Sequence, residues 1–360
     1  MPTEFHLYLA FYTAVLPGLI AVILLLEHEV RLWLRARSQA ASVQAASTQN
    51  PPTASQDFPS LLGALRGGNE TELAAALPRP SMNIGLAVGA GVLAAVIGLD
   101  GFPYFVLGFL SRLGIEGIPY SVPKSTQVAA IAIMGGGLLG MALTQRISFL
   151  TALAGTHRVK DTVSRAAIIG LLGGALLLAQ VLRRIPDDWD ATSWIIFSLL
   201  LLVWIALAIV LDLASSTPAA CGWWPPLLFA IAFGMASLQL ALVAKIAIYA
   251  QLATSAAVVC GVAMLVGIWR PGYLFGPGGT FASMLALATL ALNGQFYSTS
   301  DFPVYAALLT ALAPAGLALI LLPRLHGAGR WAALVLALAI PGIPLLFSLF
   351  TKVPDNAYGY

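Results

Sequence analysis

The chain has 360 residues, of which 59% are hydrophobic and 9% charged, with a net charge of +3 and a mean hydropathy of +0.89. A soluble domain carries about 25% charge, so this chain cannot clothe a water-facing surface of ordinary size, and the composition places it in a lipid bilayer. Its Lys and Arg residues are scattered rather than blocked, which leaves nucleic acid no basic surface to bind.

A membrane-crossing helix needs about 20 mainly apolar residues. In chain order the apolar runs predict spans at 5–26, 82–99, 126–144, 165–182, 193–213, 226–246, 251–268, 280–297, 303–322 and 331–351. The fold expected is all-α, a polytopic integral membrane protein of about ten transmembrane helices. The N-terminus, MPTEFHLYLA, lacks the basic stretch of a secretory signal and carries Glu4 instead, so the first run is expected to remain as a span. Directly after it comes RLWLRAR, whose arginines belong on the cytoplasmic side. That orientation sets the N-terminus outside and, with an even number of spans, the C-terminus outside too.

Threading ten spans from there puts Arg31, Arg35, Arg37, Arg66, Arg79, Arg146, Arg158, Lys160, Arg165, Arg270, Arg324 and Arg330 inside. Arg112, Lys124, Arg183, Arg184 and Lys352 fall outside, and Lys245 near or within the membrane. This bias is what the positive-inside rule expects. It also favours dividing the long apolar run 226–268 into two spans, for which the break is placed at Tyr249 to Gln251. The setting expected is a bacterial cytoplasmic (inner) membrane.

Three regions follow: residues 1–37 as the first span with its cytoplasmic extension, 38–80 as a cytoplasmic linker with a short helix after Asn69, and 81–360 as a nine-helix bundle. The linker is rich in Gln, Ala, Ser and Thr, the composition of a flexible tether. Between the second and third spans the stretch DGFPYFVLGFLSRLGIEGIPY repeats an acid, a glycine, an apolar residue, a proline and a tyrosine, at Asp100–Tyr104 and again at Glu116–Tyr120. Val106, Phe109, Leu110 and Leu113 between them share one helical face, which predicts a short interfacial or re-entrant helix near 103–115. Asp301 opens a looser third copy. Asp100, Glu116 and Asp301 together make an expected outer acidic rim that attracts cations or a basic partner, although Asp and Pro are also ordinary helix-start residues.

Ionisable and polar groups inside spans are the candidates for chemistry, because burying them in lipid is costly. Lys245, Gln239, Asn293 and Gln295 fall in or near predicted spans, and Gln180 lies near a span end. Backbone breaks are the second signal: Pro17-Gly18, Pro314 with Gly316, and Pro341-Gly342 interrupt the first, ninth and tenth spans. Such breaks free carbonyls and build solute sites in many carriers. Pro17, Gln239, Lys245, Asn293, Gln295, Pro314 and Pro341 are therefore the expected substrate or ion pathway. Gly85/Gly89, Gly136/Gly140 and Gly170/Gly174 form G-x-x-x-G pairs, a spacing that lets backbones approach. GPGGT at 276–280 lacks the lysine of a phosphate-binding loop and reads as a flexible connection. Cys221 and Cys260 fall in a loop and a span, against a disulfide framework, and no motif calls for a metal, a cofactor or a catalytic residue.

Three functions fit this reading. The first is a transporter or permease for a small solute, with its site near the interrupted first, ninth and tenth helices, which requires those helices to meet around a cavity. The second is a non-catalytic membrane subunit or scaffold of a larger membrane complex, holding protein partners through the outer loops and the 38–80 segment; a packed interior without a cavity favours it. The third is a membrane enzyme acting on a lipid-linked substrate, whose groups would come from the outer carboxylates or the His157 loop.

Overall fold

The computed structural model describes residues 9–26, 81–100, 125–153, 169–181, 190–215, 217, 220–269, 275–298, 302–321 and 328–351. The RLWLRAR stretch, the 38–80 segment, the 103–115 helix, Glu116 and Asp301 lie outside these residues.

Ten helices occur among the described residues, one for each predicted span, and no strand. We number them α1 (Phe11–Leu26, opening with a π turn over Phe11–Val15), α2 (Ser81–Asp100), α3 (Ser125–Leu153) and α4 (a π turn over Ile169–Gly173 running into Gly174–Val181). There follow α5 (Ala191–Ser215), α6 (Trp224–Leu242), α7 (Ala247–Trp269), α8 (Gly276–Tyr297), α9 (Val304–Leu312, continued as a 3-10 helix over Ala313–Leu321) and α10 (Ala328–Thr351). Four of them, α5, α6, α7 and α10, are long and apolar enough to cross a membrane. The molecule is an all-helical protein whose lipid-facing positions, such as Ile195, Leu202, Val335 and Leu338, are exposed and apolar.

The bundle is built around α8. From Gly276 to Asn293 its described side chains are buried, and it packs against α2, α3, α4, α5, α6, α7 and α9. This explains why a helix of 22 residues is not among the four that are long and apolar enough to cross: surrounded by protein, it tolerates Thr280, Ser283, Thr289 and Asn293 on its surface. The GPGGT stretch read as a flexible connection is in fact its buried first turn, with Gly276 at a φ of 69°. Pro277 at the second helical position spends no N–H that the helix would have used.

Glycine sets the closest approaches. A Cβ on Gly137 of α3 would lie 2.5 Å from the carbonyl oxygen of Gly85 in α2, and one on Gly85 would lie 3.0 Å from Gly137 O and 3.2 Å from Gly278 O. A Cβ on Gly140 would run into Gly278 O of α8. The third backbone in this interlock is thus α8 and not α4, whose Gly170 and Gly174 meet only side chains of α5 at 3.8 and 3.4 Å. Gly136, half of the expected α3 pair, faces the Leu285 side chain, and Gly137 takes its place against α2.

The break within 226–268 comes earlier than Tyr249 to Gln251. Helix α6 ends at Leu242, the N–H groups of Val243 and Ala244 both reach Gln239 O at 2.9 and 3.1 Å, and Ile246 N–H returns to Leu240 O at 2.9 Å. Lys245 is exposed and closes this turn at a φ of 56°, in the left-handed region that glycine fills more readily. No Gly or Pro marks the turn, so its position was invisible to a reading based on breaker residues.

Tryptophans gather at one end of the α6–α7–α10 wall. Trp269 and Trp331 are exposed at 71% and 65%, and the Trp223 and Trp331 rings meet edge to face at 6.2 Å. Gly267 lets α7 close against Gly222 and Trp223 at the same level. Exposed indoles at a common depth are what a membrane–water boundary collects.

Candidate functional site

A proline at position i has no N–H for the carbonyl of residue i−4, so each break poses the question of what satisfies that carbonyl. In α1 the residue four before Pro17 is Thr13, whose carbonyl oxygen accepts a hydrogen bond from Ser255 Oγ of α7 at 2.8 Å. The π turn over Phe11–Val15 is the local accommodation of the ring. Pro17 itself packs on Gly91 of α2, and Gly18 sits beside Val258 of α7.

In α9 the residue four before Pro314 is Thr310. Its carbonyl is taken by the N–H of Ala313, which tightens the chain into the 3-10 helix Ala313–Leu321. A run of that length is unusual. It is held by Gly316, which brings α9 against the backbone of Ala333 in α10, where a Cβ would lie 2.7 Å from Ala333 Cα and O.

In α10 the break holds Pro341 and Pro344. Here a side chain from a third helix enters: Gln239 of α6 donates from Nε2 to the carbonyl of Pro341, and its Oε1 accepts from the Thr310 hydroxyl. Gln239 has no exposed surface and Thr310 2%, and Thr310 Oγ1 also lies 2.8 Å from Ala306 O. One amide therefore joins α6, the 3-10 transition of α9 and the proline break of α10.

A second polar cluster links α4 to α8. Gln180 Nε2 donates to Thr289 Oγ1 at 3.0 Å and to Leu176 O at 3.3 Å. Asn293 Nδ2 donates to Gln180 Oε1 at 2.9 Å and to Thr289 O at 2.7 Å. Tyr297 Oη donates to Gln180 O at 3.0 Å. Asn293 Oδ1 and Gln295 Oε1 are buried without a hydrogen-bond partner. The two clusters lie at one end of the bundle, because Gly294 touches both Leu240 and Phe302 while Ser298 Oγ donates to Ala244 O at 3.1 Å.

The structure thus brings Gln239 and Pro341 together with Thr310, sets Asn293 on Gln180, and leaves Pro17 against α2 and α7. Lys245 stands exposed at the α6–α7 turn, and Asp100 is the last residue of α2. Four residues that matter here were not among the expected pathway: Thr310, Ser255, Thr289 and Gln180. A signal for the first existed, since reading four residues back from Pro314 lands on Thr310, just as reading back from Pro17 lands on Thr13. Asp212, near the end of α5, is the buried charged side chain among the described residues.

A pocket of about 10 Å³, lined by residues that include Leu177, Phe197, Leu201, Ala288, Leu292 and Ala311, lies between α4, α5, α8 and α9. It is apolar and holds about one water's volume. Compared with known protein families, curated proteins and solved structures, the chain matches none. Fold and composition define a helical membrane protein whose described interior holds amide and hydroxyl clusters between its helices.

Proposed function

We propose that this chain is a non-catalytic integral subunit or scaffold of a larger membrane complex, inserted by about ten spans with both termini outside. One observation carries the reading. The proline breaks, which in a carrier would turn polar backbone toward a solute path, are here closed by hydrogen bonds: Thr13 O by Ser255 of α7, Thr310 O by Ala313 of α9 itself, and the Pro341 carbonyl, within the α10 break, by Gln239 of α6. Around them the central helix is encased and glycines put backbone on backbone. The tryptophan-rich end of α6, α7 and α10 is flanked in sequence by Arg270 and Arg330, which the charge bias assigns to the cytoplasm. In this reading the partners are proteins held through the outer loops and the 38–80 segment.

The test is extraction from the native bacterial membrane in mild detergent, followed by quantitative identification of what co-migrates. Partner proteins in fixed stoichiometry are expected. A chain that migrates alone, with lipid only, overturns the reading.

A second reading, a transporter or permease for a small solute, is favoured by one feature: Gln239 sits where two interrupted helices meet, with an amide, a hydroxyl and a carbonyl in one buried place. It requires that Pro314→Ala and Pro341→Ala each lower uptake of the solute in reconstituted vesicles, and that Pro17→Ala, on the far contact with α2 and α7, does so less. Unchanged uptake in all three removes it.

A further inference from the structure

The α4–α8 cluster is unbalanced in one direction. Gln180 and Asn293 each carry two amide protons, and these are matched by Leu176 O, Thr289 Oγ1, Gln180 Oε1 and Thr289 O. Two of those acceptors are backbone carbonyls, which can only accept. They decide how both amides point: Leu176 O requires Gln180 Nε2, and Thr289 O requires Asn293 Nδ2. Turning the Asn293 amide over would set oxygen against oxygen at 2.7 Å, so its orientation follows from the hydrogen bonds around it. Asn293 Oδ1 is thereby held with its lone pairs unspent, in a residue only 2% exposed. A buried oxygen left in that state is costly. What remains available is acceptor capacity alone: Asn293 Oδ1, and the second lone pair of Gln180 Oε1, which the same Asn293 amide contacts through Nδ2 at 2.9 Å.

Such a place rejects anions and gains nothing from an apolar guest. We propose that Asn293 Oδ1 and Gln180 Oε1 form the binding site of a small monovalent cation. With no carboxylate in the cluster, a divalent ion would give up its water without a compensating charge, so single charge and weak hydration are what the site suits. Access is short: Asn293 stands four residues before the end of α8, about 6 Å at 1.5 Å per residue, and Gln180 one residue before the end of α4. The site rests on neither reading of function above. A subunit would hold the ion structurally and a carrier would couple to it.

The full chain in lipid nanodiscs, at fixed ionic strength and pH 8, is melted in chloride salts of sodium, potassium, ammonium and the bulky N-methylglucamine cation. At least one small cation is expected to raise Tm saturably, on the order of 3–5 °C at a hundredfold excess over its Kd. Ser237→Ala, which removes a hydroxyl bonded to Ala250 O at the α6–α7 contact, should keep that salt response, and Asn293→Leu should lose it. Gln180→Met, which keeps the length and removes Oε1, should move the midpoint of the response to roughly tenfold higher cation concentration, about 1.4 kcal/mol. Equal Tm in all four salts overturns the proposal, leaving Oδ1 to water. So does a response that Gln180→Met leaves at the wild-type midpoint, because the ion would then sit elsewhere.

Discussion

The α2–α3–α8 junction and the α6–α9–α10 junction solve the same problem by opposite means. Within lipid the hydrophobic effect does not press helices together, since acyl chains are as apolar as leucine. At α2–α3–α8 attraction comes from proximity: Gly85, Gly137, Gly140 and Gly278 remove the side chains and let backbones touch. At α6–α9–α10 the helices are interrupted, and a single amide, Gln239, ties the loose polar atoms of two of them to a third. The first device is steric and indifferent to chemistry; the second is chemical and tolerant of shape. Substitutions should separate them cleanly.

The largest effect is expected where backbone meets backbone. Gly137→Ala places a methyl 2.5 Å from Gly85 O, with no flexible side chain able to yield. The helices must part, at a cost of about 3 kcal/mol or more. Gly234→Ala and Gly261→Ala meet nothing within 4 Å and serve as controls. Each should be neutral or stabilise by up to roughly 1 kcal/mol through helix propensity. Denaturation in mixed micelles reads all three, and equal destabilisation by Gly137→Ala and Gly261→Ala would refute the steric account.

Next in size is the amide. Gln239→Leu keeps most of the volume but leaves the Pro341 carbonyl and Thr310 without their partner, and should cost about 1–2 kcal/mol. Thr310→Val tests whether the hydroxyl matters through Gln239 or through Ala306. A double-mutant cycle should return a coupling on the order of 0.6 kcal/mol and no more than about 1.7. Additive losses would mean that Gln239 and Thr310 act separately.

How much of this was legible in the chain follows from the same contrast. All ten helices among the described residues coincide with apolar runs, because the length and hydropathy of a run are local properties. The proline breaks were legible for the same reason. The side chains that reach them were not, since Ser255 lies 242 residues from Thr13, and Gln239 lies 102 from Pro341 and 71 from Thr310. The central place of α8 was hidden by its own polarity: it falls short of the four helices apolar enough to cross a membrane, although that polarity is what protein on all sides permits. Its Gly-Pro-Gly-Gly start looked like a loop because glycine signals flexibility in water and close approach in a packed bundle. The turn at Lys245 escaped notice because it uses an ordinary residue in an unusual conformation.

That turn gives a smaller prediction, at the edge of the amide-stitched side. Lys245 is exposed, and its φ of 56° costs a non-glycine residue roughly 1 kcal/mol. Lys245→Gly should recover part of that in unfolding free energy while leaving the Gln239 coupling intact. A loss of stability instead would show that the lysine side chain contributes more than its backbone strain removes.

The smallest effect belongs to neither junction and isolates both. Asp190 precedes α5 and accepts from the backbone N–H and the hydroxyl of Ser193, each at 2.8 Å, which caps the helix. The Ser193 N–H is the main cause holding its carboxyl below the ordinary value of 3.8, followed by the Ser193 hydroxyl. A carboxylate whose folded pKa is depressed stabilises the fold above the unfolded value and loses that contribution as pH falls through the folded one. Acid below about pH 4 should therefore fray the first turn of α5. Glycine contacts and amide–hydroxyl bonds have no proton to gain there, so both junctions should hold. Hydrogen exchange at Ser193 and Trp194, followed from pH 6 to pH 3 and corrected for intrinsic rates, measures this directly. Asp190→Asn, which keeps the acceptor and cannot titrate, should abolish the pH dependence, whereas Asp190→Ala should fray that turn at every pH. If protection in α6 and α10 falls in step with α5, the acid response is global and the separation between charged caps and neutral interior fails.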